Sequence, residues 1–211
     1  MSTVKRSERS LLVVSSLAQE SDKLKALYGT VAAAAVAMCT PLVACYKDVK
    51  FITGKNATVA NTMSTLATLS SESGMEAVDL FLFVHGSPSS LSFADGSISS
   101  TKIKEKIVAA KVKNLRAMYS TACYASHHLQ NFLDAGFKTA SGAVGVNANS
   151  PHETPWFVAK WALDWTYEKA LDPENDLVDK GWDAAAKALG WGDVDSTKKV
   201  KGDCSVKINT L

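Results

Sequence analysis

The apolar residues fall into short runs, each closed by small or polar ones. Leu11 to Val14 is bounded by serines and reads as a strand. Lys47 to Thr53 alternates through Val49, Phe51 and Ile52, and Gly54 closes it as a second strand. Val78 to Val84 has one charge in seven residues, which predicts a strand buried on both faces, as in a parallel sheet. Leu115 to Ala122 and Ala140 to Val146 predict strands four and five, and Cys204 to Ile208 a last one. The small residues of the fifth permit close packing.

Between these runs the pattern changes to helical spacing. Ser21 or Asp22 is placed to cap a helix reaching about Met38, which Pro41 ends. Asn56 is placed to cap a helix through Ser70, with Val59, Met63, Leu66 and Leu69 on one face. Ala94-Asp95-Gly96 predicts the turn of a small hairpin within Ser87 to Ser99. Ser100 or Thr101 opens a helix bearing Ile103, Ile107 and Val108. Ser126 to Ala135 is another, stopped by Gly136. Thr154-Pro155 marks a further start, with Phe157, Trp161 and Trp165 spaced along one face. A final helix is expected from Leu177 to Leu189. This β/α alternation predicts an α/β fold: a three-layer sandwich with a mostly parallel central sheet of about six strands and helices on both faces. The 211 residues fit one domain, with 154–211 as its tryptophan-rich helical C-terminal part.

Composition narrows the function classes. Net charge is +2, and no basic stripe with interleaved aromatics points to nucleic acid. The uncharged stretch Ala26 to Tyr46 has the length of a membrane span, but it is built on alanine and broken by Gly29, Thr40 and Pro41. A buried helix is the expectation, with no membrane span and a cytoplasmic default; a secreted or periplasmic setting stays open. Cys39, Cys45, Cys123 and Cys204 lack paired spacing, so neither a disulfide framework nor a zinc site is expected. No feature sets an oligomeric state.

Two residues carry the chemistry. His85 follows the apolar run ending at Val84, and Cys123 follows the run ending at Ala122. In a parallel sheet, binding sites lie beyond the carboxyl ends of the strands. Neighbouring strands would bring the imidazole and the thiol to one edge, the minimum apparatus for nucleophilic attack on a carbonyl.

Three segments, in order, resemble the caspase-like cysteine peptidases, the superfamily of caspases, metacaspases, legumains and gingipains. They are Phe51-Ile52-Thr53-Gly54-Lys55-Asn56-Ala57-Thr58, the strand Val78 to Val84 with His85-Gly86, and Met118-Tyr119-Ser120-Thr121-Ala122-Cys123. The likeness spans roughly residues 10 to 150. It implies Cys123 as nucleophile and His85 as general acid-base. The Gly86 N–H, with that of Cys123, would line an oxyanion hole. A peptide or protein is the implied substrate, and no cofactor or metal is needed. Thr121 stands where many members carry an acidic residue or glutamine that shapes the substrate subsite. Tyr124 and Ala125 stand where many carry glycine. The stretch Asn147 to Trp156 matches the segment that helps form the pocket for the residue before the scissile bond. Within it Glu153 would select a basic side chain and Trp156 would wall a neighbouring subsite; a solvated charge and a core tryptophan are the plain alternatives.

Other readings remain beside this one. His85-Gly86-Ser87 is similar to the His-Gly-Ser turn of tetrapyrrole metal chelatases, although Cys123 would then have no task. A non-catalytic protein-binding module on a peptidase-like fold is the third. His127 and His128 are expected at surface or capping positions, since adjacent helical residues point about 100° apart. His152 falls in the loop after strand five, where it would line the cleft. The five tryptophans, all in the last third, are expected to anchor the C-terminal helices to the sheet. Lys198, Lys199 and Lys201 read as a solvated turn.

Overall fold

The computed structural model describes residues 2–17, 33–171 and 176–211, with the side chains of 176–179 left aside. Strands β1 (Arg9–Ser16), β2 (Asp48–Thr53), β3 (Ala77–Gly86), β6 (Leu115–Ser120) and β7 (Thr139–Ala143) form the parallel part of one sheet. Strand β8 (Lys198–Gly202) closes it antiparallel to β7, giving the order β2-β1-β3-β6-β7-β8. A hairpin of β4 (Leu91–Phe93) and β5 (Gly96–Ile98) hangs from the end of β3, turning at Ala94-Asp95.

Alternation along the strands builds two cores. Leu12 and Val14 of β1, with Leu80, Leu82 and Val84 of β3, face helices α2 (Val59–Ser71), α3 (Ser100–Ala109) and α4 (Leu129–Asp134). Leu11 and Val13 of β1, with Phe81 and Phe83 of β3, face the other way. There they meet α1 (helical residues 33–39), the 3-10 turn Thr40–Ala44, α5 (Ser150–Ala162) and α6 (Tyr167–Leu171). The three layers are those the β/α alternation predicts, because each helix buries one apolar face against a sheet that is apolar on both. Helix α7 (Asp176–Ala188) follows α6. Of the predicted first helix, residues 21–32 lie outside the described residues; Ala35 and Cys39 in its later part are buried. Burial pushes the Cys39 thiol up to about 12.

Several elements sit differently from the sequence reading. Thr58, not Asn56, caps α2, because its hydroxyl accepts from the Asn61 N–H at 3.1 Å. Helix α5 begins at Ser150, four residues before Thr154. Pro151 takes the early position suited to proline, and Pro155 lies inside the helix. Trp165 lies past the end of that helix. The last strand is Lys198–Gly202 rather than Cys204 to Ile208. Val108 is exposed, unlike Ile103 and Ile107. Of the tryptophans only Trp161 is buried; Trp156, Trp165, Trp182 and Trp191 are exposed.

The pole at the amino ends of the strands is sewn with polar bonds. Arg116 and Asp79 form a fully buried ion pair at 2.5 Å. Tyr46 donates to Asp79 at 2.6 Å, and Trp161 donates to Tyr46. Arg116 also donates to the Ile208 carbonyl at 2.6 Å, and Arg9 reaches the same oxygen at 2.8 Å. The two arginines thus fasten the C-terminal segment beneath the sheet.

Candidate active site

Strands β3 and β6 run side by side in parallel, with Phe81 opposite Tyr119 and Leu82 opposite Ser120. Both pairs have an offset of 38 residues (119 − 81 and 120 − 82). The Thr121 N–H continues the ladder by donating to the Leu82 carbonyl at 3.0 Å. His85 lies near the end of β3 and Cys123 three residues past the end of β6, so both stand at the carboxyl ends of adjoining parallel strands.

Gly86 shows how close the two strand ends come. A Cβ added there would fall inside the van der Waals shell of the Cys123 carbonyl oxygen and 3.0 Å from the Ala122 Cβ. Only a residue without a side chain fits that approach. Ser120 helps bend the chain away after β6, its hydroxyl accepting from the Ala122 N–H at 3.2 Å. Tyr124 then adopts a left-handed conformation at φ 55°, a region that favours glycine. Its N–H donates to the Gly145 carbonyl at 2.8 Å and its hydroxyl to Asp193 at 2.7 Å. Those two bonds hold the turn directly after the nucleophile candidate.

A loop from the end of β7 to α5 covers the thiol from one side. The Asn147 N–H donates to the Cys123 Sγ at 3.4 Å, and the Asn147 Nδ2 donates to the Thr121 carbonyl at 2.9 Å. Gly142 and Gly145 bring this loop in: a Cβ on Gly142 would collide with Ala125, and one on Gly145 would stand 2.5 Å from the Asp193 carbonyl oxygen. Cys123 and His85 are both half-buried, with the His85 Nε2 atom itself shielded from solvent. Burial lowers the His85 pKa from its ordinary 6.5, which favours the neutral imidazole.

The turn behind His85 has its own support. His128 is buried and bonds the Ser87 carbonyl through Nε2 at 2.9 Å and the Ser100 hydroxyl through Nδ1 at 3.0 Å. Asn131 donates to the same Ser100 oxygen at 2.8 Å. The donors sort themselves: Nε2–H gives to the carbonyl, Ser100 gives to Nδ1, and Asn131 gives to Ser100. His128 therefore takes a capping position, before the first residue of α4, but is buried there and its ring bonds away from the helix; His127 is the exposed member of the pair.

The proposed subsite residues are placed as follows. Thr121 is buried, its hydroxyl 3.4 Å from the Leu82 carbonyl oxygen. Glu153 lies on α5, buried, paired with Lys198 at 2.8 Å and accepting from the Tyr119 hydroxyl at 3.0 Å. Lys198 is thus no solvated turn residue but an inward-facing member of β8. Trp156 is 61% exposed on the outer side of α5. His152 lies in the first turns of α5. The structure therefore sets His85, Gly86, Thr121 and Cys123 at the carboxyl ends of β3 and β6, and engages Glu153 in an internal ion pair. Asn147, Ser120 and Tyr124 lie in segments the resemblance marks, but their contacts around Cys123 are not among its implications.

The chain is similar to the crystal structure of the Drosophila initiator caspase Dronc, at a TM-score of 0.53 and 14% identity, over 99% of this chain and 83% of that one. The fold is caspase-like. At that identity the likeness concerns architecture alone. No protein-family model matches the chain, and no curated protein matches it. Among the described residues, no group of three His, Cys, Asp or Glu side chains is placed to hold a metal, and no helix is long and apolar enough to cross a membrane.

Proposed function

We propose that the protein is a cysteine endopeptidase working through Cys123 and His85. The observation that carries this reading is the close approach of Gly86, next to His85, to the Cys123 carbonyl, where two adjoining parallel strands end. The caspase-like fold agrees with it. In the first step His85, largely neutral, takes the thiol proton as the sulfur attacks the peptide carbonyl. The proton passes to the leaving amine, and the acyl group remains as a thioester. Water, deprotonated by His85, then hydrolyses the thioester and regenerates the thiol. Backbone N–H groups of Gly86 and Cys123 are the candidate donors to the oxyanion. This chemistry needs no cofactor, and its substrate is a peptide or protein rather than a nucleic acid.

The test is hydrolysis of a fluorogenic peptide library varied at the residue before the scissile bond, with labelling by a thiol-directed acylating probe. Native protein is expected to cleave and to be labelled at Cys123, whereas Cys123→Ala and His85→Ala, folded by circular dichroism, lose turnover by more than about a hundredfold. Unchanged cleavage in Cys123→Ala would end the proposal. A porphyrin that binds native protein by absorbance, but not His85→Ala, would favour the chelatase chemistry instead. Binding of peptides without cleavage or labelling would favour a non-catalytic module.

A further inference from the structure

We infer that Asn147 is a working part of the nucleophile's setting: its backbone N–H steadies the Cys123 thiolate, and its side chain holds that N–H in place. The inference rests on the cysteine peptidase reading and adds a residue to it.

Three contacts converge on Asn147. Its N–H points at the Cys123 Sγ at 3.4 Å. Its Nδ2 donates to the carbonyl of Thr121, two residues before that cysteine, at 2.9 Å. Its Oδ1 accepts from the Asn149 N–H at 3.3 Å, which folds the loop on itself. The next residue is held as well, because the Ala148 N–H donates to the Ser196 hydroxyl at 2.9 Å and Ser196 donates to Asp183 at 2.6 Å. Asn147 itself is buried. The side chain therefore ties its own main chain to the strand that carries the sulfur, and fixes the separation between amide and thiol.

The chemistry follows from which form of the thiol reacts. The thiolate is the nucleophile, and an amide donor interacts more strongly with an anion than with a neutral thiol. A fixed amide at the sulfur therefore meets the anion as it forms on loss of the proton to His85. Loosening the Nδ2 bond lets the loop drift and weakens that contact, with Thr121 left as a buried carbonyl short of a donor.

The experiment compares native protein with Asn147→Ala, following iodoacetamide alkylation of Cys123 by peptide mass spectrometry across pH. Reading the Cys123 peptide separates it from Cys45 and Cys204. Alkylation at pH 7 is expected to slow about threefold or more, with the gap closing in strong alkali where every thiol is ionised. On peptide substrates kcat falls and KM stays within about twofold, because the amide acts on the nucleophile and not on substrate binding. Independently, in native protein the Asn147 amide cross-peak should shift as the Cys123 thiol titrates, a readout that needs no variant to fold. Superimposable alkylation profiles for a folded Asn147→Ala, or an amide signal that stays fixed through that titration, would overturn the inference. Neither readout requires turnover, so a protein that alkylates as expected yet cleaves nothing would fail the peptidase reading and keep this one.

Discussion

The Cα of Gly86 lies against the main-chain carbonyl of Cys123, leaving no room for a Cβ between them. The neighbour is backbone, which does not move aside cheaply, so Gly86→Ala must push the two strand ends apart. The expected cost is about 1–3 kcal/mol of stability, read as a lower urea midpoint. Thiol alkylation and peptide cleavage should fall further than stability alone explains, because His85 and Cys123 are displaced relative to each other.

His85 and His128 are both held by burial below the ordinary 6.5. For His128 the hydrogen bond to Ser87 opposes that shift and nearby His127 adds to it. A histidine kept neutral in the folded state binds fewer protons than it does unfolded. Stability is then fully present above about pH 6.5 and is lost as pH falls toward the folded values. Thermal melting between pH 7.5 and 5 should show a falling midpoint, and His128→Gln should flatten part of that slope. The acid limb of kcat/KM should lie below the ordinary histidine value, since His85 remains a base to lower pH.

Glu153 and Lys198 form a nearly fully buried pair, with Tyr119 bonded to the carboxylate. Removing either charge strands the other. Lys198→Met should cost about 3–5 kcal/mol, measured by denaturant unfolding, and the pair Glu153→Gln with Lys198→Met should recover part of the loss. If Glu153 selected a basic side chain in the substrate, Glu153→Gln would change the residue preference in the peptide library; the buried pairing leads us to expect an unchanged preference.

Tyr124 pairs a left-handed backbone with a hydroxyl bond to Asp193. Tyr124→Phe removes only the bond, and Tyr124→Gly removes both the bond and the conformational penalty of about 1 kcal/mol. Tyr124→Phe should therefore melt below native protein, and Tyr124→Gly should melt above Tyr124→Phe. The comparison of melting temperature with Cys123 alkylation rate shows whether the tether serves the thiol or only the fold.

The sheet and its two chemical residues were legible because long apolar runs leave little choice: Val78 to Val84 is too hydrophobic for an edge, and the polar residue closing it falls at the strand end. Even the register was implicit in the spacing of His85 and Cys123. The rest depended on partners far away in sequence. Strand β8 was hidden because Lys198, Lys199 and Lys201 look solvated until Glu153 supplies a buried counter-charge. The burial of His128 was hidden because the chain there is not one continuous helix: a 3-10 turn (Ala125–His127) precedes it and α4 starts only at Leu129. Pro155 masked the start of α5, since two prolines compete for that role and only Asn149 with Ser150 marks the true entry. Asn147 opened the stretch matched to a pocket-forming segment, but its contact with the thiol stayed hidden, since a main-chain amide aimed at a sulfur leaves no trace in residue type.

The fastening of the C-terminal segment by Arg9 and Arg116 has a practical corollary. Thr3 bridges to Thr210, so both described ends of the chain meet beneath the sheet, on the side where the strands begin. His85 and Cys123 stand where they finish, with the six residues of β6, about 20 Å, in between. Affinity handles, fluorophores or fused proteins attached at either end would therefore hang from the floor of the molecule, leaving its mouth clear for peptides.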